Sequence, residues 1–124
     1  SRKNFVEEDF IELRDSVEGL ISVIEKYKDM EKDSDEYITE LKEFLEEVNL
    51  TLEEKKITDK ELKNLNSLRK SYFNSHTNSI SEYAVYDKND LEKTHKVNKE
   101  ITVAVSRFGK ILYKITEKVI YHMI

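Results

Sequence analysis

Apolar residues near the start of the chain recur at alternating intervals of four and three positions, the spacing that is typical of a helix-bundle seam. A repeat of 3.5 residues keeps one stripe of a helix turned toward its neighbours. The stripe consists of Val6, Phe10, Leu13, Val17, Leu20, Ile24 and Tyr27. We therefore predict a first helix from about Asn4 to Glu31, with this stripe in the core.

The same spacing continues in two further segments, each of which comes after a residue that can cap a helix. Asp33 followed by Glu36 predicts the start of a second helix near Asp33, with Ser34 as an alternative cap, and Thr58 followed by Glu61 forms a capping box for a third. We expect the second helix to end near position 55. The stripes consist of Ile38, Leu41, Leu45, Val48 and Leu52 in the second helix and of Leu62, Leu65, Leu68 and Tyr72 in the third.

The third helix is predicted to bend or break within NSHTNSIS, Asn74–Ser81, because Asn, Ser and Thr side chains compete for backbone hydrogen bonds. Ser79 with Glu82 can restart it as a short helix through Tyr86. The next stretch, DKND, predicts a turn, and its last residue, Asp90, is placed to cap a fourth helix.

The fourth and longest predicted helix extends from about Leu91 to His122. At 1.5 Å per residue it reaches about 48 Å and exceeds the second helix by a few turns. We therefore expect one end to extend beyond the bundle and to pack on the third segment or on a second copy. The predicted seam consists of Leu91, His95, Asn98, Ile101, Val105, Phe108, Leu112, Ile115, Val119 and His122.

Four helices with short connections predict an all-α fold, a four-helix bundle of up-down-up-down topology with a bent or broken third helix and a long C-terminal helix. The alternative is a helical hairpin that completes its core only by dimerising. The length of 124 residues fits a single helical domain, residues 1–124. Proline is absent and glycine occurs twice, which favours uninterrupted helices.

Several chemistries lack the residues that they need. Without cysteine, disulfides and thiolate metal sites are excluded. The chain contains no P-loop, GxSxG, HExxH or EF-hand motif, and no apolar run of transmembrane length. We therefore expect no cofactor, no metal site and no membrane insertion, and a cytoplasmic location.

The net charge of −5 conceals an asymmetry between the two halves of the chain. The net charge is −10 through Leu62 and +5 from Lys63 onward. One interpretation is that acidic and basic helices neutralise each other within one bundle. The other is that the basic half presents a face to an acidic partner or a polyanion.

Seven basic residues of the fourth helix fall within a sector of about 120°, at 100° per residue. These candidate binding residues are Lys93, Lys96, Lys99, Arg107, Lys110, Lys114 and Lys118. Such a stripe is either a solvated helix face or a docking surface. The acidity of the first half would repel a nucleic acid that wrapped the bundle, and Tyr121 is the only aromatic residue in the same sector as the lysines, so an acidic protein partner fits slightly better.

The stretch RKSYFNSH places Arg69 and His76 within about 20° of two full turns of a helix, with Tyr72 between them. This pair resembles the Arg-X4-6-His motif of HEPN-family ribonucleases, small helical bundles that often dimerise and cleave RNA without metal. The resemblance implies that Arg69 steadies the phosphate and that His76 transfers protons. The family usually places a polar, often amide, residue after the arginine, whereas this chain has Lys70. The other interpretation is a surface arginine and a helix-terminal histidine beside a break.

Glu92 and His95 have the ExxH spacing of di-iron bundles, but such a site needs two ExxH pairs. The residues three positions before the other histidines are Phe and Val. We interpret His95 and Asn98 instead as a polar layer in the seam, which can determine helix register or oligomeric state.

Gly19 and Gly109 interrupt predicted helices at a cost of about 1 kcal/mol each relative to alanine. Each marks either a close approach at a helix crossing or dimer contact, or a tolerated position on the flank.

The sequence thus favours a non-enzymatic helical interaction protein, a regulator, inhibitor or adaptor of bacterial or phage type that binds another protein and forms a homodimer. Two alternatives stay open. One is a HEPN-like ribonuclease, or an inactive relative, that uses Arg69 and His76. The other is a helical sensor domain excised from a membrane receptor.

Overall fold

A computed structural model describes the backbone of residues 5–73 and 79–123 and the side chains of residues 5–73 and 79–117. Four α-helices form the fold: α1 (Glu7–Lys26), α2 (Ser34–Glu54), α3 (Asp59–Tyr72) and α4 (Leu91–Met123). Two single 3-10 turns lie at Lys28–Met30 and Ile80–Glu82, and no strand occurs in the described ranges. The predicted all-α class is confirmed, and the packing is consistent with a four-helix bundle.

The core stripe of α1 is the one that the 3.5-residue repeat predicts. Its fully buried members are Phe10, Leu13, Val17, Leu20 and Ile24. Val6 and Tyr27, at the two ends of the predicted stripe, are half-buried. The helix is shorter than predicted, because it ends at Lys26 and the chain then forms the 3-10 turn. The predicted start, Asn4, lies outside the described residues.

The stripe of α2 is rotated slightly from its prediction. Ile38, Leu41 and Val48 are buried as expected, whereas Leu45 and Leu52 are half-buried. Their places in the core are taken by Phe44 and Thr51. At the start of α2, Asp33 makes no capping hydrogen bond through its side chain. At its end, Lys55 adopts a left-handed conformation with φ of 56°, which stops the helix.

The capping box at the start of α3 is confirmed. Glu61 N donates to Thr58 Oγ1 at 3.1 Å, and Thr58 N donates to Glu61 Oε1 at 3.4 Å. The third helix ends at Tyr72, in agreement with the predicted break. The predicted restart from Ser79 through Tyr86 is wrong, because only the short 3-10 turn forms there and residues 83–87 have no regular structure.

Contacts between the helices establish the up-down-up-down topology. Residue numbers that rise along α1 meet falling numbers on its neighbours, in the pairs Asp9–Lys114, Glu12–Arg107 and Tyr27–Glu100 with α4 and Glu25–Lys42 and Lys28–Asp35 with α2. The direction of α3 against α4 follows from the pairs Arg69–Tyr113 and Phe73–Gly109. α1 packs on both α2 and α4, and α3 packs on α4. α2 and α3 are joined by a short connection but hardly touch. A groove therefore runs along the α2/α3 seam.

Phe108 of α4 joins three helices in the centre of the core and is fully buried. Its ring centroid lies 5.8 Å from those of Phe44 and Tyr72 and 5.7 Å from that of Phe73. Aromatic pairs at this separation contribute stability beyond the area that they bury.

The N-terminal part of α4 packs on the connection that leads from α3, which is one of the two predicted places for the overhanging end. Val85 N donates to Asn98 Oδ1 at 2.8 Å, and Asn98 Nδ2 donates to Val85 O at 2.9 Å. Tyr83 and Ser34 share a hydrogen bond between their hydroxyls, which ties the connection to the start of α2. The connection therefore takes the place of a neighbouring helix along this part of α4.

The predicted turn before α4 is confirmed. Asp90 N donates to Asp87 O at 3.1 Å, and Lys93 N donates to the Asp90 carboxylate at 3.0 Å, as a helix cap requires.

The first turns of the predicted α4 seam are wrong. Leu91 is 59% exposed, and His95 is also exposed, while Val97 is buried. A repeat of 3.5 residues drifts by about 20° per heptad on a straight helix, so one stripe does not face the core over a helix of this length. The predicted polar layer of His95 and Asn98 is also wrong, because Asn98 bonds the connection and His95 faces solvent. Farther along, Ile101, Phe108, Leu112 and Ile115 are buried as predicted.

Candidate protein-binding surface

The predicted basic stripe lies on a solvent-exposed face of α4. Its members with described side chains are all exposed, and they are Lys93, Lys96, Lys99, Arg107, Lys110 and Lys114. The side chain of Lys118 lies outside the described residues.

Two cations of the stripe are neutralised by α1. Arg107 forms a bidentate pair with Glu12, with Nε to Oε1 at 2.8 Å and Nη2 to Oε2 at 3.1 Å. The hydrogen bond from Arg107 lowers the pKa of Glu12, and the same bond raises the pKa of Arg107. Lys114 Nζ lies 3.2 Å from the carboxylate of the buried residue Asp9. The acidic first half and the basic second half therefore neutralise each other in part, at the α1/α4 interface.

Four lysines of the stripe keep their charge available. Lys93, Lys96, Lys99 and Lys110 form no ion pair with any of the residues whose side chains are described. Exposed cations without a carboxylate partner create a local positive potential that attracts an acidic molecule.

A shallow groove between α1 and α4, which we call the α1/α4 groove, runs beside these lysines. Its floor is formed by small or apolar residues: Ser16, Gly19, Val23, Val103 and Ala104. Lys96, Lys99 and Arg107 stand along the α4 edge of this floor. Val103 is 65% exposed, so an apolar strip lies open to solvent next to the cations.

The two glycines occupy different environments. A Cβ atom on Gly109 would lie 3.0 Å from Cε1 of Phe73, so this glycine allows the ring to pack against α4. A Cβ atom on Gly19 would meet only Arg107 Nη1, at 4.0 Å. Packing against Phe73 therefore explains why position 109 is a glycine. No contact between described residues explains the glycine at position 19, on the floor of the α1/α4 groove.

Arg69 is engaged in contacts between α3 and α4. Its guanidinium carbon lies 5.0 Å from the ring centroid of Tyr113, and Nη2 donates to Asn66 Oδ1 at 2.9 Å. The Nε atom is buried and has no hydrogen-bond partner among the described residues. His76, the other member of the candidate catalytic pair, lies outside the described residues. The contacts of Arg69 give it a role in holding α3 on α4.

Two absences hold for the part of the chain that the structure describes. There, no cluster of three or more His, Asp or Glu residues has a geometry that could hold a metal ion. None of the helices combines the length and the apolar character needed to cross a bilayer.

A second groove, between α2 and α3, was missed by the sequence reasoning. Its floor includes Phe10, Phe44, Val48, Ile57 and Leu65, and we call it the α2/α3 groove. A sequence signal for it exists in the acidic stripe of α2, which consists of Glu36, Glu40, Glu43, Glu47 and Glu54. This stripe has helical spacing and contains one apolar member, Leu50, which is 53% exposed.

Comparison with known proteins yields no relative: no protein-family model, curated protein or solved structure matches the chain. The two grooves and their charges are therefore the features of the molecule that indicate a function.

Proposed function

We propose that the chain is a non-enzymatic interaction protein that binds an acidic partner protein in the α1/α4 groove. The observation that carries the proposal is an open apolar strip beside cations that have no carboxylate partner in the described structure. Protein interfaces combine an apolar centre with a charged rim that sets the rate and the specificity of association.

A protein segment suits this groove better than a nucleic acid. The exposed side chain of Val103 offers apolar contact area that a phosphate backbone does not use. An acidic helix would place apolar side chains on the floor and carboxylates against Lys96 and Lys99.

Gly19 adds independent support. A glycine within a helix costs about 1 kcal/mol relative to alanine, and the nearest atom to a Cβ at this position would be Arg107 Nη1, at 4.0 Å. A partner backbone that approaches closely at this position would explain why a residue without a side chain is present there.

The experiment is capture from an extract of the source cells on the immobilised protein. Lys96→Glu/Lys99→Glu reverses two charges on the groove, and Lys60→Glu/Lys63→Glu makes the same change on exposed positions of α3. We expect a protein that the wild type and the α3 variant capture and that the groove variant loses. Retention by the groove variant, equal loss in both variants, or no captured protein would contradict the proposal.

Gly19→Gln tests the apolar floor without changing charge. Glutamine is a good helix former and the position is open, so the variant is expected to fold while its side chain fills the groove. Capture by Gly19→Gln at wild-type level would show that the partner does not use this floor. Light scattering measures the mass of the protein and checks the homodimer predicted from the sequence.

The non-enzymatic part of the proposal is tested by incubating the purified protein with RNA. Cleavage by the wild type that is lost in His76→Ala and in Arg69→Ala, with helical circular dichroism retained, would favour the ribonuclease alternative. The sensor-domain alternative is tested on the parent gene, where sequences that encode flanking membrane spans would favour it.

A further inference from the structure

The α2/α3 groove is an opening in the bundle itself. α1–α2, α1–α4 and α3–α4 are closely packed pairs, whereas α2 and α3 hardly touch. Side chains of the core, among them Phe10, Phe44 and Val48, therefore reach the floor of the groove. These floor residues are themselves buried, so the apolar surface that a partner would reach is supplied by Leu68 of α3, which is half-buried, and by Leu50 of α2, which is 53% exposed. A helix laid between α2 and α3 would cover this surface.

The α2 edge of the groove is strongly acidic. Glu40, Glu43 and Glu47 are exposed on this side of α2, and none of them forms an ion pair with a described residue. Glu61 stands on the opposite wall. Burial raises the pKa of Tyr72 on α3 to about 12, and the nearby charges of Glu40, Glu43 and Glu47 add to the increase.

We propose that the α2/α3 groove binds a basic amphipathic helix of a partner protein. Phe44 to Thr51 and Glu61 to Leu68 each line the groove over two helical turns, about 10 Å. A bound helix would therefore place apolar residues at i, i+3 or i+4, and i+7 on the floor. Its Lys and Arg residues would face Glu43 and Glu47, so that the charges on the two sides are complementary.

This site is independent of the α1/α4 groove. Because α1 lies between α2 and α4, and α3 packs on α4, the α2/α3 face and the α1/α4 face lie on opposite sides of the bundle. The two grooves share no residues. Either one can bind its partner when the other does not.

The probe is a fluorescein-labelled 18-residue peptide of leucine and lysine, with leucine on one helical face, whose binding is followed by anisotropy at low salt. A peptide of the same composition in scrambled order, which has no apolar face, is the control ligand. We expect saturable binding of the amphipathic peptide, weakened by added salt because the charges are exposed, and at least about ten-fold weaker binding of the scrambled peptide.

Two pairs of variants locate the binding site. Glu43→Lys/Glu47→Lys changes Glu47, which lines the groove, and Glu43, which lies one turn before it on the same side of α2. Glu46→Lys/Glu53→Lys makes the same charge change at exposed positions on another side of α2. We expect the first pair to weaken binding at least about ten-fold and the second to leave it within about three-fold. Urea midpoints verify that both proteins fold.

Leu50→Asn tests the apolar contact, with Leu91→Asn at the start of α4 as its match; both leucines are exposed, and Leu91 lines neither groove. We expect only Leu50→Asn to weaken binding. Equal binding of the scrambled peptide, equal loss in the two charge variants, or no binding at low salt would overturn the proposal.

Discussion

Replacing each glycine with alanine gives opposite expectations, because the two positions differ in the space available for a methyl group. At Gly19 a Cβ would have only Arg107 Nη1 within 4.0 Å, an ordinary van der Waals contact. At Gly109 it would lie 3.0 Å from Cε1 and 3.2 Å from Cζ of Phe73. Gly19→Ala is therefore expected to stabilise the protein and Gly109→Ala to destabilise it.

The magnitudes come from helix propensity and from packing. Alanine in place of glycine in a helix interior adds about 0.5–1 kcal/mol to the free energy of unfolding. Gly19→Ala should gain this amount, which raises the melting temperature by roughly 2–4 °C for a chain of this size. Gly109→Ala gains the same propensity term but forces the ring of Phe73 to move, and overpacking costs about 1–3 kcal/mol. We expect a net loss of about 1 kcal/mol.

The assay is urea unfolding followed by circular dichroism at a helical wavelength. Phe73→Leu supplies the internal control, because removal of the ring should make Gly109→Ala stabilising in that background. The reasoning would be refuted by a Gly109→Ala variant that is as stable as Gly19→Ala, or by a destabilised Gly19→Ala.

Three further expectations concern the core and its connections. Asn98→Ala removes both hydrogen bonds to the backbone of Val85 and should lower the free energy of unfolding by about 2–3 kcal/mol. The Val85 amide should then exchange its hydrogen faster, and an unchanged exchange rate would contradict this expectation. Burial raises the pKa of Tyr72 to about 12. Its neutral form therefore stabilises the fold below pH 10, and this contribution is lost as the pH rises from about 10 to 12. The urea midpoint should fall less over that interval in Tyr72→Phe than in the wild type, and an equal fall in both proteins would contradict the expectation. Phe108→Ala should cost about 3–5 kcal/mol in urea unfolding, and a loss below 1 kcal/mol would show that its aromatic neighbours do not depend on it.

Local signals were enough to predict the elements that are stabilised by neighbours in sequence. Sequence spacing alone predicts three such features, because the residues involved lie within a few positions of one another on one helix. They are the capping box of Thr58 and Glu61, the cap at Asp90 and the buried stripe of α1. The basic stripe of α4 was readable for the same reason.

Contacts between distant segments decided the remaining features. The connection from α3 packs on α4 through Asn98, which bonds the backbone of Val85 thirteen positions away, whereas Leu91 and His95, which have core spacing, face solvent. The residues of α1 that lie opposite α4 determine which cations are paired. Arg107 therefore pairs with Glu12, whereas Lys96 forms no ion pair with a described residue.

The α2/α3 groove depends on both local sequence and contacts between distant segments. The sequence by itself determined that α2 has an acidic stripe with Leu50 in it, since that is a consequence of helical spacing alone. Only the tertiary structure decided that α3 packs on α4 and leaves this stripe beside an open apolar seam. The physical reason is that amphipathic spacing specifies which face of a helix is buried, whereas the choice of neighbour depends on how all the buried faces fit together in space.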